Sequence, residues 1–392
     1  MRETREIRAV WQQQPESFPV FLKENPSVFW KTDTRQKKEN EALVQEFSQR
    51  VQKKFRQKPK NADARRQWEQ NLEQDFQDFL GREKILSLSE WMDPKLLDAL
   101  KRETKHFIDK VRNFDETLNQ EQIWQSMKNY LVYAMIVELQ GEEQNAKSPI
   151  LAYSLLYPYT DNYIDDKRVS TQEKERYNRM IASKLMKQAV RPEKPLEEKT
   201  CCLLDMILKD YQGEKQKRIA ETLLHLLEAQ NQSITQQKAG VAEEQILEIS
   251  IRKGSASVLA DYLFAASDWL EDEEKFYLKF GFLLQLVDDL QDIKEDRENG
   301  RHTLMTQAEE WQKLEQCVNH LLWFSWNVIR GFHPKNPGIK SFILKNCVEI
   351  SLLAVAMNQQ FFSMEYLKAL EPYLPFSLEF LKKRKKQISV PI

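Results

Sequence analysis

Apolar residues recur at three- and four-residue intervals along most of this chain, the period of an amphipathic helix. In the first ninety residues the clearest row is Trp68, Leu72, Phe76 and Leu80, four apart and therefore on one face of a helix that needs something to pack on. From about Trp91 onward helical patterns follow one another. They are broken at Gln140-Gly141, at the stretch from Val190 to Pro195 with its two prolines, and between Gly331 and Gly338, which holds two more. The pattern predicts an all-α protein. With no internal repeat and no low-complexity linker, it divides most simply into one large helical domain over residues 91–392 and a helical N-terminal extension over 1–90 packed on that core.

Composition sharpens this picture. Only 9 glycines occur in 392 residues, good helix formers abound, and hairpin dipeptides such as Asn-Gly are scarce, which leaves little to build a sheet from. At 41% hydrophobic the chain is too apolar for disorder and long enough for a sizeable core. A net charge of -1 carries no basic stripe of the kind nucleic acid requires, so no nucleic-acid partner is expected. The one short basic run, Lys382 to Lys386, is either a solvated helix end or a peripheral contact with anionic lipid. Cys201, Cys202, Cys317 and Cys347 have neither metal-ligand nor disulfide-framework spacing, and no apolar run resembles a signal peptide or a membrane span. A cytoplasmic location is the expectation. The five histidines form no zinc pattern, and neither a Gly-x-Ser-x-Gly elbow nor a P-loop occurs, which removes support for hydrolase and nucleotide-binding readings.

The candidate chemistry lies in two aspartate clusters. In the first, Asp161 and Asp165 are four apart, with Tyr157 and Tyr153 continuing the same face beneath them. In the second, Phe280, Leu284, Asp288, Asp292 and Asp296 form one row, apolar at one end and acidic at the other. Like charges at this spacing cost a helix about 0.2–0.5 kcal/mol per pair, so either the acids are simply a solvated helix end or something compensates them. Mg²⁺ would: it takes oxygen from one or two carboxylates and leaves its other positions to water and phosphate. Asp289 is a weaker candidate, turned about 100° away around the helix. Room for several helices between the clusters lets two acidic faces meet across a bundle, with a diphosphate held between metals and aromatic walls sheltering a carbocation.

These residues resemble the trans-type isoprenoid synthases, the superfamily of chain-elongating prenyltransferases, squalene and phytoene synthases and class I terpene synthases. The elongating enzymes carry Gly-x-x-Phe-Gln-x-x-Asp-Asp-x-x-Asp; this chain has Gly281, Leu284, Gln285, Asp288, Asp289 and Asp292. Asp161-x-x-x-Asp165 is similar to the first aspartate-rich motif, with Asn162 where a second Asp is common. Lys253, or Arg252 beside it, stands where a diphosphate-touching lysine is found. Arg297, Gly300, Arg301, His302 and Thr303 resemble the basic loop that closes over diphosphate, with Arg301 either solvated or an anion clamp. The likeness spans roughly residues 125–310 and excludes the first 90.

The resemblance implies a helical bundle around a central prenyl diphosphate cavity. Asp161, Asp165, Asp288 and Asp292 would be the catalytic acids and, with Asp296, the Mg²⁺ ligands; Arg252, Lys253, Arg301 and Tyr157 would touch substrate. The Gly-Gly-Lys-Arg segment and Arg-Arg pair of elongating enzymes are not recognisable, and Lys167-Arg168 sits closer to the acids than that pair does. This favours a one-substrate lyase reaction, a terpene synthase acting as monomer or homodimer, over a prenyltransferase joining two prenyl units. Plant and fungal terpene synthases carry Asn-x-x-x-Ser/Thr-x-x-x-Glu where this chain has Asp288, Asp292 and Asp296, so the likeness is to an atypical bacterial-type enzyme. The alternative outside catalysis is a silent helical module that binds a prenyl lipid or a partner.

Overall fold

A computed structural model describes residues 2–13, 29–59, 61–166, 168–237 and 240–385, and among them every regular element is helical. The α-helices are α1 (Arg2–Trp11), α2 (Thr34–Arg56), α3 (Ala62–Arg82), the single turn α4 (Leu88–Trp91), α5 (Pro94–Phe114), α6 (Gln120–Leu139), α7 (Ser148–Asp165), α8 (Thr171–Leu185) and α9 (Pro195–Leu208). They continue as α10 (Gly213–Ser233), α11 (Glu243–Ala265), α12 (Glu271–Gln291), α13 (Ile293–Glu298), α14 (Leu304–Glu310), α15 (Leu314–Arg330), α16 (Pro337–Met357), α17 (Met364–Leu370) and α18 (Leu378–Lys385). Local chemistry sets the ends. Capping boxes start α6 (Asn119 with Gln122) and α8 (Ser170 with Glu173), and a proline opens α5, α7, α9 and α16, where its missing N–H costs nothing. The breaks read from the sequence fall between helices: Gly141 has φ 62° just past α6, the 190–195 stretch joins α8 to α9, and Gly331 follows α15. No described helix is long and apolar enough to cross a membrane.

The core is built around α12, whose Phe282, Leu283, Leu286 and Leu290 are fully buried between α11, α15 and α16. α11 is buried on nearly every side, and it crosses α12 with backbones in contact. A Cβ on Gly254 would stand 2.4 Å from the carbonyl oxygen of Gly281, and one on Gly281 would stand 2.1 Å from that of Gly254. Only glycine permits that approach, and it fixes the register between Lys253 on one helix and Gln285 and Asp288 on the other.

The described helices of the first ninety residues have different surroundings. α1 lies in the main core: Trp11 stacks on His320 at 4.1 Å and meets Phe282 and Phe324 edge-on at 5.6 and 5.7 Å. α2 and α3 instead form an antiparallel hairpin, with Phe47 stacked on Phe79 at 4.5 Å and Phe55 edge-on to Trp68 at 5.2 Å. Of the row Trp68, Leu72, Phe76 and Leu80, only Leu80 is fully buried, and Phe76 is 51% exposed. The turn after the hairpin is anchored by Glu83, whose carboxylate accepts from the N–H groups of Ile85, Leu86, Ser87 and Leu88. Lys345 on α16 donates to Ser87 Oγ at 2.9 Å.

Candidate functional site

The second aspartate cluster does not sit on one uninterrupted helix. α12 stops at Gln291 and α13 begins at Ile293, with Asp292 as the junction at φ -93°, ψ 5°. The spacing survives because the hydrogen-bond ladder runs through the joint: Asp292 N–H donates to Asp288 O and Asp296 N–H to Asp292 O, both at 2.9 Å. Asp288, Asp292 and Asp296 therefore stay in step and line one small cleft of about 40 Å³, together with Asp289. Lys253 and Ser250 of α11 cover it from one side, and Arg301 and Thr303 close it from another.

Crowding in so little water resists the ionisation of Asp289, Asp292 and Asp296. Burial, with the charges of Asp288 and Asp296 added, raises Asp289 to about 8 in spite of a 2.8 Å hydrogen bond from Gln285 Nε2. Burial likewise raises Asp296 to about 7, against the pull of Arg301, whose Nε lies 3.7 Å from its Oδ1. Asp292 is raised to about 6 by partial desolvation and by Asp288; as a residue it is exposed, so solvent screens part of that effect. Asp289 Oδ2 is buried with no hydrogen-bond partner. Sequence projection turned Asp289 away from the row, yet it faces the same cleft because α11 roofs that side of α12.

The cationic residues separate. Lys253 lines the cleft, half-buried, whereas Arg252 turns to α10, donating to Glu228 at 2.8 Å and to Gln232 at 3.0 Å. Arg301 is held in place: its N–H donates to Asp296 O at 2.8 Å, and its carbonyl accepts from Thr306 Oγ1 at 3.1 Å. Arg297 points elsewhere, paired with Glu309 at 2.5 Å. A cation that sequence reasoning passed over is Lys128, exposed on α6, whose charge opposes the rise at Asp292. Nothing in its sequence context marks it.

The first cluster lies at the same end of the bundle. Asp161 Oδ1 accepts from Gln230 Nε2 at 2.6 Å, and Ser233, three residues further along α10, lines the cleft of the second cluster. Asn162 donates to Gln125 of α6 at 3.2 Å, so α6 brings Gln125 beside the first cluster and Lys128 into the field of the second. The Asp165 side chain and Lys167 lie outside the described residues. Arg168 is committed to Asp166 through guanidinium hydrogen bonds of 2.9, 3.2 and 2.8 Å and a backbone N–H bond of 2.8 Å, which hold this carboxyl down at about 2.

Beneath the acids a polar seam runs inward along α11. Tyr157 shares a hydrogen bond with Ser257 Oγ, Tyr153 donates to Ser257 O at 3.1 Å, and the two rings meet edge-on at 5.8 Å. One turn deeper, Asp261 is completely buried; Asn129 donates to its Oδ1 at 3.3 Å and to Ser154 Oγ at 3.1 Å, and Oδ2 has no partner. Burial raises this carboxyl far above its ordinary value and so favours its protonated form in the fold. A group raised in the folded state contributes stability that is present at low pH and lost as pH climbs from the unfolded value of 3.8 toward the folded one. Asp261→Asn, which keeps the shape and cannot ionise, is therefore expected to stabilise the fold. The gain should be clear at pH 8 and should vanish near pH 4, read from urea midpoints at the two pH values.

Among the described residues no three or more Asp, Glu, His or Cys side chains converge as a preassembled ion site. The donors at the cleft are all oxygen, one buried carboxylate oxygen lacks a partner, and the acids repel one another, which together fit a hard cation that needs only one or two carboxylates. No model of a known protein family matches the chain, and no curated protein matches it.

Proposed function

We propose that the protein is a Mg²⁺-dependent class I terpene synthase, a lyase that ionises one allylic prenyl diphosphate to a linear or cyclic terpene. The observation that carries this reading is that Lys253 and Arg301 share a cleft with Asp288, Asp289, Asp292 and Asp296, at the bundle end that also holds Asp161. The acids of the cleft and Asp161 would hold Mg²⁺, which when bound supplies charge neutralisation of the leaving diphosphate. Lys253 and Arg301 bind and orient the diphosphate oxygens. Tyr157 is half-buried with Tyr153 fully buried behind it, and the apolar side chains of α7, α11 and α12 around them would exclude water from a prenyl chain once the cleft opens. At about 40 Å³ the cleft is too small for a diphosphate, so the reading requires it to widen on binding. The pairing of Arg168 with Asp166 engages the one described cation of Lys167-Arg168, which supports the one-substrate reaction over condensation.

Calorimetric titration with inorganic diphosphate tests the binding half of the proposal. Binding should require Mg²⁺ and tighten between pH 6 and pH 8, because the ion competes with protons on carboxyls raised to about 7 and about 8. Lys253→Met should weaken it about tenfold or more, whereas Arg252→Met, whose charge is spent on Glu228, should leave it within about threefold. Diphosphate binding that ignores Mg²⁺, or equal losses in the two variants, would contradict the assignment.

A further inference from the structure

The α2–α3 hairpin has two halves with different surroundings. Its inner half docks on the C-terminal segment: Asn40 donates to Pro375 O at 3.0 Å, the N–H of Ser377 to Glu41 at 2.7 Å, and Arg384 to Ser48 Oγ at 2.9 Å. These contacts advance together along both segments, so α18 runs parallel to α2. Beyond Ser48 the hairpin is held by its own contacts. Arg50 pairs with Asp78 at 3.0 Å, Lys54 with Asp75 at 2.6 Å, and the Trp68 indole donates to Lys54 O at 2.9 Å. The eight residues from Gln49 to Arg56 carry the tip roughly 12 Å past that last contact at a helical rise of about 1.5 Å per residue.

That tip concentrates positive charge and one large apolar ring. Lys53, Arg56 and Lys58 are exposed and form no ion pair among the described residues; Phe55 between them is 44% exposed. Among the described side chains, the neighbouring acids Asp75, Asp78 and Glu46 are already engaged by Lys54, Arg50 and Arg82. α18 runs beside the inner half of α2, where Lys382 is exposed with no ion pair among the described residues and Arg384 lies over the Phe380 ring at 5.4 Å. On a chain whose net charge is only -1, the hairpin tip is thus a local concentration of positive charge.

We infer that the outer half of the α2–α3 hairpin is a docking surface for an anionic lipid bilayer. Lysine and arginine at a bilayer surface gain from its negative potential, and a half-exposed phenylalanine among them can enter the headgroup boundary. A nucleic acid would need a groove with rings arrayed for stacking, whereas Trp68 is folded against Phe55 and covered by Lys58 at 5.6 Å. The surface is independent of the chemistry proposed for the acidic cleft.

Co-sedimentation of the full chain with vesicles of phosphatidylcholine, with and without 30% phosphatidylserine as an experimental choice, tests the inference. The chain should partition to the anionic vesicles only, and 0.5 M salt should release it. At about fivefold per basic residue, the variant K53E/R56E/K58E should lose about a hundredfold in partitioning, and F55A should lose several-fold. Each changed residue is exposed, so thermal unfolding of the variants should match the parent. Equal partitioning to neutral and anionic vesicles, an unaffected triple variant, or displacement of the chain from vesicles by a single-stranded oligonucleotide at equal phosphate would overturn it.

Discussion

Asp288→Asn is expected to lower turnover of an allylic prenyl diphosphate by at least about a hundredfold while leaving the fold as stable as before or more so. The two effects have one cause. Asp288 is exposed at the mouth of the cleft, and its charge is among the causes that raise Asp289, Asp292 and Asp296. Carboxyls raised in the folded state destabilise it as pH climbs above their unfolded values, so removing the shared negative neighbour lowers them and returns stability near pH 7. Steady-state kinetics with a urea midpoint measured on the same preparation reads both. A variant that lost activity and stability together would make Asp288 a structural residue.

Gly254→Ala and Gly281→Ala are each expected to cost about 3 kcal/mol or more. Helix propensity alone predicts the reverse, since Ala is better than Gly in a helix interior by about 1 kcal/mol. The clash decides the sign: each added methyl would stand within 2.4 Å of a backbone carbonyl oxygen of the facing helix, and backbone cannot rotate aside as a side chain can. Gly81, in α3 with nothing within 4 Å of an added Cβ, is the control, and Gly81→Ala should stabilise by up to about 1 kcal/mol. Urea midpoints of the three variants check this. If all three moved in the same direction, the close crossing of α11 and α12 would be refuted.

The helical class and the main breaks were legible because periodicity and punctuation are local. Asp288, Asp292 and Asp296 were legible as a set for the same reason, and they remain in register across the joint at Asp292 because the hydrogen-bond ladder does not stop there. What could not be read depends on contacts between distant segments. The insertion of Trp11 beside His320 leaves no periodic trace, and a helical wheel cannot show that α11 roofs the Asp289 side of α12. That Arg252 turns away from the cleft depends on Glu228, a residue of another helix. The glycine of the Gly281-to-Asp292 pattern was visible as a letter; that it is there for a backbone crossing needed Gly254 opposite it.

The most direct measurement is product analysis after incubating the purified chain with Mg²⁺ and allylic prenyl diphosphates of increasing length, with and without isopentenyl diphosphate. The account predicts a hydrocarbon or alcohol, with equimolar release of inorganic diphosphate, from a single prenyl diphosphate and only when Mg²⁺ is present. A longer prenyl diphosphate formed only when isopentenyl diphosphate is added, or no diphosphate released from any substrate, would contradict it.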